Sequence, residues 1–358
     1  MDWMTNAKER PLFPASIVGS MPRSQYVRDL LDPDLTPDDP AVFDKRMNAA
    51  VDYILSLQEA AGLDVISDGE YRRRSYIGII ADVATGFHLE RNEGVWWHTV
   101  VDPLEHANPG LAAKEAEYLR ARTDRLIKVC LPSPYLLAQR MWNPDRSTSA
   151  YKTRIDFMDA LVPILRKEVE LLRDAGADIV QFDDPHLCLF VDDRIRAEYD
   201  DPDAEIDLCV SYLNQILDGI EGVTRCIHLC RRNKGRSGWV GEGSYEPILP
   251  ALQSLSVDQY VMEFTIPVAG NLDVLKELPD GSQVGLGCVD CRGKIIDPVD
   301  AIVDRVERAL EHLSPNQIYL NPDCGFAPGN AADIPIDEAY AKLCNEAKAS
   351  AVLRERHG

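Results

Sequence analysis

The sequence contains no apolar run long enough to cross a membrane or to act as a secretion signal. The first eighteen residues, MDWMTNAKERPLFPASIV, are interrupted by charges and prolines. No later stretch approaches the roughly 18 consecutive apolar residues that a spanning helix needs. The sequence therefore predicts a cytoplasmic protein that does not associate with membranes.

Positive charge is scarce. The chain has 38 Lys and Arg against 59 Asp and Glu, a formal net charge of −21. Such a charge repels phosphate backbones and anionic lipid, which argues against nucleic acid as a partner. Against this acidic background, a local cluster of arginines is noteworthy.

Internal repeats, low-complexity linkers and paired CxxC motifs are also missing. The nine cysteines are an odd number, and without an export signal they predict free thiols rather than a disulfide framework. Most of those outside the candidate site fit apolar positions and are interpreted as core residues, namely Cys130, Cys188, Cys209, Cys288 and Cys344.

What the sequence does contain is an alternation of strand-like and helix-like segments over its whole length. Eight β-type runs cover Ser16–Pro22, Val65–Glu70, Leu126–Pro134, Ile179–Pro185, Arg225–Cys230, Gln259–Pro267, Gln283–Asp290 and Gln317–Gly325. Amphipathic stretches separate them, among them 41–61, 154–175, 205–220 and 298–313. This order predicts an α/β protein with a single (β/α)8 TIM barrel formed by residues 1–358.

One long segment, residues 71–125, interrupts the alternation after the second predicted strand and is interpreted as an insertion. It carries Trp96, Trp97 and His98. Two interpretations stay open: a hairpin or lid over the barrel mouth, or an additional layer packed on the barrel wall.

The predicted carboxyl ends of the strands carry most of the chemistry, as expected for such a barrel. They hold Ser20, Glu70, Asp183, His228, Cys230, Glu263, Asp290 and Cys324. His228 and Cys230 lie two apart on a strand and therefore point to the same side. A buried Glu263 requires a salt bridge or a metal. One nitrogen, two sulfurs and one carboxylate oxygen suit tetrahedral Zn2+, although a lone histidine or cysteine on a strand is often only a core residue.

Five motifs in order extend this picture: VGSMP at 18–22, SDGEYRR at 67–73, QFDDP at 181–185, HLCRRN at 228–233 and NPDCGF at 321–326. With them the chain resembles the catalytic barrel of the cobalamin-independent methionine synthases. The resemblance implies a zinc site formed by His228, Cys230, Glu263 and Cys324. It also implies that Ser20, Glu70 and Asp183 hold homocysteine, the methyl acceptor.

Three features depart from the family. The second, N-terminal barrel that helps bind the folate polyglutamate is absent, so we expect a more compact alkyl donor. Arg292 lies near the place where the family has a proton-donating histidine. Arg231 and Arg232 follow Cys230, and 72–74 are three consecutive arginines, which either pair with acids or bind an anion.

The sequence thus predicts a zinc-dependent thiol alkyltransferase that moves a methyl group from a small donor to a thiol such as homocysteine. Asp290, Asp184 and His186 are the candidate acids for the leaving group, and Arg231 and Arg292 are candidate substrate contacts. An epoxyalkane:coenzyme M transferase is the main alternative, since it shares the superfamily and needs a cation for a sulfonate. A uroporphyrinogen decarboxylase-like enzyme and a non-catalytic zinc-binding barrel are more distant ones. Whether the chain forms homo-oligomers stays open.

Overall fold

The computed structural model describes residues 10–92, 95–327 and 334–358. The strands are β1 (Val65–Ile66), β2 (Phe87–Asn92), β3 (Val95–Val100), β4 (Leu126–Pro132), β5 (Ile179–Asp183), β6 (Thr224–Leu229), β7 (Gln259–Glu263), β8 (Gln283–Val289) and β9 (Ile318–Pro322). The α-helices are α1 (Gln25–Leu31), α2 (Pro40–Ala61), α3 (Ile79–Val83), α4 (Ala113–Arg120), α5 (Pro134–Met141), α6 (Arg154–Asp174), α7 (Pro185–Leu189), α8 (Asp193–Arg196), α9 (Pro202–Leu217), α10 (Leu249–Ser254), α11 (Val299–Ala309) and α12 (Ile336–His357).

Seven strands form one curled parallel sheet in the order β1-β4-β5-β6-β7-β8-β9. The segment before β1 connects the two edges of this sheet, because Ala15 bridges to Leu320 of β9 and Ser16 bridges to Val65 of β1. Backbone pairing therefore continues around a ring. The predicted α/β class with a parallel sheet is confirmed.

Apolar side chains fill the inside of this ring below the strand ends. One residue from each of five strands joins Val18 in a buried cluster of Val18, Val65, Ile179, Cys226, Val261 and Tyr319. Because every second residue of a strand points to the same side, the residues that follow on the same faces also point inward. Asp183, His228 and Glu263 are among them, and this alternation places them above the apolar layer.

The first predicted strand, Ser16–Pro22, is wrong beyond Ser16. The backbone carbonyls that follow accept hydrogen bonds from side chains rather than from a strand ladder. Lys128 Nζ donates to Ile17 O (2.7 Å), Gln181 Nε2 to Val18 O (3.1 Å) and Ser67 Oγ to Gly19 O (2.7 Å). The segment still runs in the place of an eighth strand, held by side chains of β4, β5 and the turn after β1.

The second predicted strand is shorter than expected, since β1 covers only the first two residues of Val65–Glu70. The chain turns sharply after Ser67, with Gly69 at φ 71° and Glu70 at φ 57°. A positive φ is unusual for a residue with a side chain and costs about 1–3 kcal/mol, a strain that concentrates at functional sites.

Between β1 and β4 lie α3, the antiparallel hairpin β2–β3 and α4. The hairpin packs on the helices beside the barrel: the Phe87 ring contacts Phe157 of α6, and Ser147 Oγ donates to Val100 O (2.5 Å). A hairpin is thus present in the predicted insertion 71–125, and its role as a lid stays a prediction. Among the described residues, no helix is long and apolar enough to cross a membrane.

Candidate active site

The carboxyl ends of the parallel strands surround a cavity of about 170 Å³. Its walls bring together residues from most of the chain: Val18, Ser20, Glu70, Tyr76, Arg140, Asp183, Pro185, His228, Cys230, Arg232, Asn233, Lys234, Val240, Cys324 and Gly325. Six sequence-predicted residues are in this set, namely Ser20, Glu70, Asp183, His228, Cys230 and Cys324. A cavity at this edge of the sheet is where a parallel α/β fold binds its ligands.

Three candidate metal ligands meet in the cavity. One ligand atom each of His228, Cys230 and Cys324 lie within 4.8 Å of one another, and all three residues are buried. Neither ring nitrogen of His228 has a hydrogen-bond partner among the described residues. A buried imidazole without partners is costly, so this donor set fits a metal ion, and one nitrogen with two sulfurs favours Zn2+.

The two thiols of this cluster have pKa values shifted in opposite directions. A hydrogen bond with Cys324 lowers the pKa of Cys230 far below its usual value, and the same contact together with burial raises the pKa of Cys324. Burial alone lowers the pKa of His228, but the adjacent Cys230 thiolate and the Asp183 carboxylate raise it to about 9. The low pKa of Cys230 favours its thiolate, the form in which a cysteine binds a metal ion.

Glu263 is fully buried beside this cluster but engaged elsewhere. Its Oε2 accepts a hydrogen bond from the Arg231 backbone N–H (2.8 Å), and its Oε1 is bonded to the Arg292 guanidinium. A salt bridge thus satisfies the carboxylate in this structure, which was one of the two predicted outcomes. Its participation in a metal site stays a prediction.

Two carboxylates face each other across the opposite side of the cavity. One oxygen each of Glu70 and Asp183 and the Cys130 sulfur lie within 4.8 Å of one another. Burial raises the pKa of Glu70, and it raises the pKa of Asp183 to about 7, partly because the other carboxylate is near. A cation such as an ammonium group would stabilise the ionised form of two buried acids of this kind.

The turn after β1 holds Glu70 in place. Asp68 Oδ1 accepts from the Glu70 backbone N–H (2.8 Å), and Arg23 Nη2 donates to Glu70 O (2.7 Å). Gly19 lies directly beneath: a Cβ there would be 2.7 Å from Glu70 Oε1 and 2.8 Å from the Cys130 sulfur. The glycine of the VGSMP motif therefore makes room for the carboxylate.

Several predicted residues are near the cavity but do not line it. Asp184 accepts from Leu187 N (2.9 Å) as the N-cap of α7. Asp290 accepts from Arg292 N and Gly293 N, both at 2.8 Å, and so closes its own turn. Burial and then two arginines lower the pKa of His186 to about 3, which favours its neutral form. The proposed roles of Asp184, His186 and Asp290 as acids stay predictions.

The arginines were predicted either to pair with acids or to bind an anion, and the structure separates them into two groups. Arg231 is fully buried and donates to Gly243 O (2.6 Å), and Arg292 is bonded to Glu263 and Asp323. Arg73 forms a buried two-bond ion pair with Glu115 (2.9 and 2.6 Å). These three hold the framework, whereas Arg232 lines the cavity.

Sequence reasoning missed four polar residues of the cavity wall: Tyr76, Arg140, Asn233 and Lys234. Asn233 and Lys234 follow Arg232 directly, and the HLCRRN motif could have drawn attention to them. Tyr76 comes from the loop after β1 and Arg140 from α5, and no motif marks either. Cys130 is buried, as interpreted, and its sulfur also lies beside the two carboxylates.

The chain is similar to known proteins over almost its whole length. Residues 13–350 match the sequence model of the family described as cobalamin-independent synthase, catalytic domain. A methionine synthase of Pyrococcus abyssi (strain GE5 / Orsay) is 29% identical over 357 residues, which is 97% of this chain and 94% of that protein. A methionine synthase of Sulfurisphaera tokodaii is 26% identical over 367 residues, covering 97% of this chain and 94% of the relative.

Solved structures give the same picture of the fold. A B12-independent methionine synthase from Shewanella sp. W3-18-1, in complex with selenomethionine, superposes with a TM-score of 0.79 at 22% identity, covering 96% of this chain and 98% of the other. A putative B12-independent methionine synthase from Listeria monocytogenes gives 0.73 at 22% identity, with 96% and 99% covered. These structures share the α/β barrel-like architecture described above.

Proposed function

Because the chain belongs to the catalytic-domain family of the cobalamin-independent synthases, we propose that it is a zinc-dependent methyltransferase whose acceptor is the thiol of homocysteine. The family and the curated methionine synthases that match almost the whole chain support methyl transfer. Zinc and homocysteine are the finer parts of the proposal, and they depend on the cavity.

The observation that carries the proposal is the pairing of two clusters in one cavity. The cluster of His228, Cys230 and Cys324 offers a metal site without hydrogen bonds to the imidazole. The cluster of Glu70 and Asp183 offers two carboxylates to an ammonium group. Homocysteine carries a thiol and an ammonium group on one short chain, so a single molecule can engage both clusters.

In this mechanism a bound Zn2+ would supply the positive charge that lowers the pKa of the incoming thiol from its usual value of about 8.5. The chain's own residues orient the acceptor. Glu70 and Asp183 hold its ammonium group, and Ser20, whose hydroxyl lies at the same wall, contacts its polar end. Holding the acceptor in one orientation toward the donor can lower the barrier by several kcal/mol.

Departure of the donor's leaving atom is favoured by a hydrogen-bond donor beside it, because the atom gains negative charge as its bond to the transferred carbon breaks. Tyr76 is a phenol in the cavity wall, and burial raises its pKa, so it keeps its proton at neutral pH. It is therefore better positioned to donate a hydrogen bond to the leaving atom than Asp184, His186 or Asp290, which do not line the cavity.

A second candidate is a thiol transfer from coenzyme M to an epoxide. The cavity also contains Arg140, Arg232 and Lys234, and no described acid forms an ion pair with any of them. Such cations could hold a sulfonate. Coenzyme M, however, has no ammonium group for Glu70 and Asp183, and for this reason it ranks second.

The proposal is tested first through the metal. We expect about one zinc per chain in the purified protein, and a loss of at least half of it in Cys230→Ser and in Cys324→Ser. Cys344→Ser is the matched control, because Cys344 is partly exposed on α12, away from the cavity. Full zinc retention in both site variants would refute the metal assignment.

The acceptor is tested next on the cobalt-substituted enzyme, whose absorption reports thiolate binding. Homocysteine is expected to change the spectrum at lower concentration than coenzyme M. Glu70→Gln should weaken the response to homocysteine and leave that to coenzyme M unchanged. The opposite order of affinities would favour the second candidate.

A further inference from the structure

The cavity contains three cations whose positions differ from those of the acids. Glu70 and Asp183 are buried, whereas Arg140 and Arg232 are half-buried and Lys234 is exposed. The cations therefore lie toward the opening and the acids toward the floor. Most other buried or half-buried arginines of this acidic chain have a carboxylate partner, for example Arg73 with Glu115 and Arg225 with Asp258.

The acidic residues of the cavity are not ion-pair partners of these three cations. Burial has the largest effect on the pKa of the Glu70 carboxyl. The positive charges that lower this pKa most are those of Arg73 and Arg23. Within the described residues, neither Arg140, Arg232 nor Lys234 forms an ion pair. Three cations that line one cavity repel one another, and an anion bound between them would relieve this repulsion.

Arg140 packs against an aromatic ring of the hairpin. Its guanidinium carbon lies 4.5 Å from the centre of the Trp97 ring, a cation–π contact with the hairpin. Its Nε is buried without a hydrogen-bond partner. Burial, followed by the charge of Arg232, lowers the pKa of Arg140. The guanidinium is therefore oriented by an aromatic face while an N–H group remains available.

We propose that Arg140, Arg232 and Lys234 form a subsite for a carboxylate or phosphate group of the alkyl donor, with Trp97 as the positioning residue for Arg140. This inference rests on the proposed function, because it assigns the floor of the cavity to the acceptor and the opening to the donor. A planar guanidinium suits bidentate binding of either anion.

Two sources could supply such an anion: the glutamyl carboxylates of a pterin-type donor, or the phosphodiester of a corrinoid. Binding to the zinc-loaded enzyme is measured by calorimetry with methyltetrahydrofolate (mono- and triglutamate), methylcobalamin and methylcobinamide, which lacks the phosphodiester. Tighter binding of triglutamate than monoglutamate identifies carboxylates. Tighter binding of methylcobalamin than methylcobinamide identifies the phosphodiester.

Arg140→Gln and Arg232→Gln should each weaken the anionic probe that binds wild type by about 10- to 100-fold. Arg140→Lys keeps the positive charge but loses the paired N–H donors of the planar guanidinium, so it should show a smaller loss of affinity. Arg308→Gln is the matched control, because it removes an exposed guanidinium on α11. Zinc content reports whether each variant is folded.

Trp97 is tested by two replacements. Trp97→Leu should weaken donor binding and raise the donor KM with little change in kcat, and Trp97→Phe should restore most of the affinity because it keeps an aromatic face. A merely structural tryptophan would lower zinc content and donor binding together.

The inference is overturned if no anionic donor binds wild type, or if both glutamine variants bind every probe as wild type does. It is also overturned if the arginine variants lose coenzyme M instead, since the cations then serve the acceptor. Homocysteine binding to the cobalt enzyme is measured in parallel. Its absence alongside arginine-dependent donor binding would refute the acceptor and leave this subsite standing.

Discussion

Gly19 lies so close to the carboxylate cluster that a side chain at this position would clash with it. A methyl group there would lie 2.7 Å from Glu70 Oε1. We expect Gly19→Ala to displace the carboxylate and to weaken homocysteine binding by 10-fold or more, since close contacts of this kind cannot relax without moving Glu70. Titration of the cobalt enzyme with homocysteine provides the measurement.

The same variant should keep its zinc, because Gly19 does not touch His228, Cys230 or Cys324. Gly281→Ala is a suitable control for the change in glycine itself, since a Cβ at Gly281 would have no atom within 4 Å. Its positive φ of 79° makes it a test of backbone strain alone. Unchanged homocysteine affinity in Gly19→Ala would contradict the geometry assigned to Glu70.

The sequence was informative about residues whose position follows from strand periodicity. Cys230 directly follows β6 on the same face as His228, and Cys324 lies just past the end of β9, so their meeting could be predicted. Arg140 could not be found in this way. It lies near the end of α5, lines the cavity and packs against Trp97 of the hairpin. Such contacts depend on tertiary packing between segments that no local pattern connects.

At the scale of elements, α6 supports both the barrel and the hairpin. Thr153 and Asp156 form a capping box at its first turn, with Asp156 N donating to Thr153 Oγ1 (3.1 Å) and Thr153 N donating to Asp156 Oδ2 (2.8 Å). Thr153→Ala should lower the free energy of unfolding by about 1 kcal/mol. Urea unfolding followed by circular dichroism gives the value.

The exposed Thr148, in the preceding turn, is the control, since it has no capping role in α6. An equal loss in the free energy of unfolding in Thr148→Ala would show that the effect comes from replacing any threonine in this region and not from losing the cap of α6. Zinc content should be unchanged in both variants, because α6 contributes no side chain to the cavity.

The predicted strands were right in order and wrong in length. Each later prediction ran one to four residues past the observed carboxyl end, into the loops that carry the site. Hydrophobic periodicity detects burial, and the buried polar loops of the cavity continue that signal. The first strand failed for another reason: Lys128 of β4 and Gln181 of β5 provide its hydrogen bonds, although neither strand pairs with this segment. No pattern within residues 16–22 reveals such contacts.

At the scale of the whole molecule, the ring of strands is completed by contacts between distant parts of the chain. Ser16 N donates to Leu320 O (2.9 Å) and to Glu346 of α12 (2.9 Å). We therefore expect zinc binding to lag behind secondary structure during refolding, because Cys324 lies beside this closure. Refolding from urea, followed by circular dichroism and by a colorimetric zinc chelator, separates the two signals.

A mutation at the closure should widen that lag. Ser16 offers its backbone to Glu346, so Glu346→Ala removes the side-chain partner and should slow zinc uptake more than it slows the recovery of helix signal. Simultaneous recovery of both signals in wild type and variant would contradict this order of events.

Because the site combines residues from distant parts of the chain, these residues are synthesised at different times. The ribosome delivers Ser20 first, Glu70 and Asp183 later, then His228 with Cys230, and Cys324 almost at the end. Contacts that span about 300 residues form slowly, since the chain must first find a distant partner. A nascent chain halted before residue 324 would have only two of the three clustered donors, so an unfinished molecule would hold metal weakly. Tight metal binding thereby distinguishes finished chains from truncated ones.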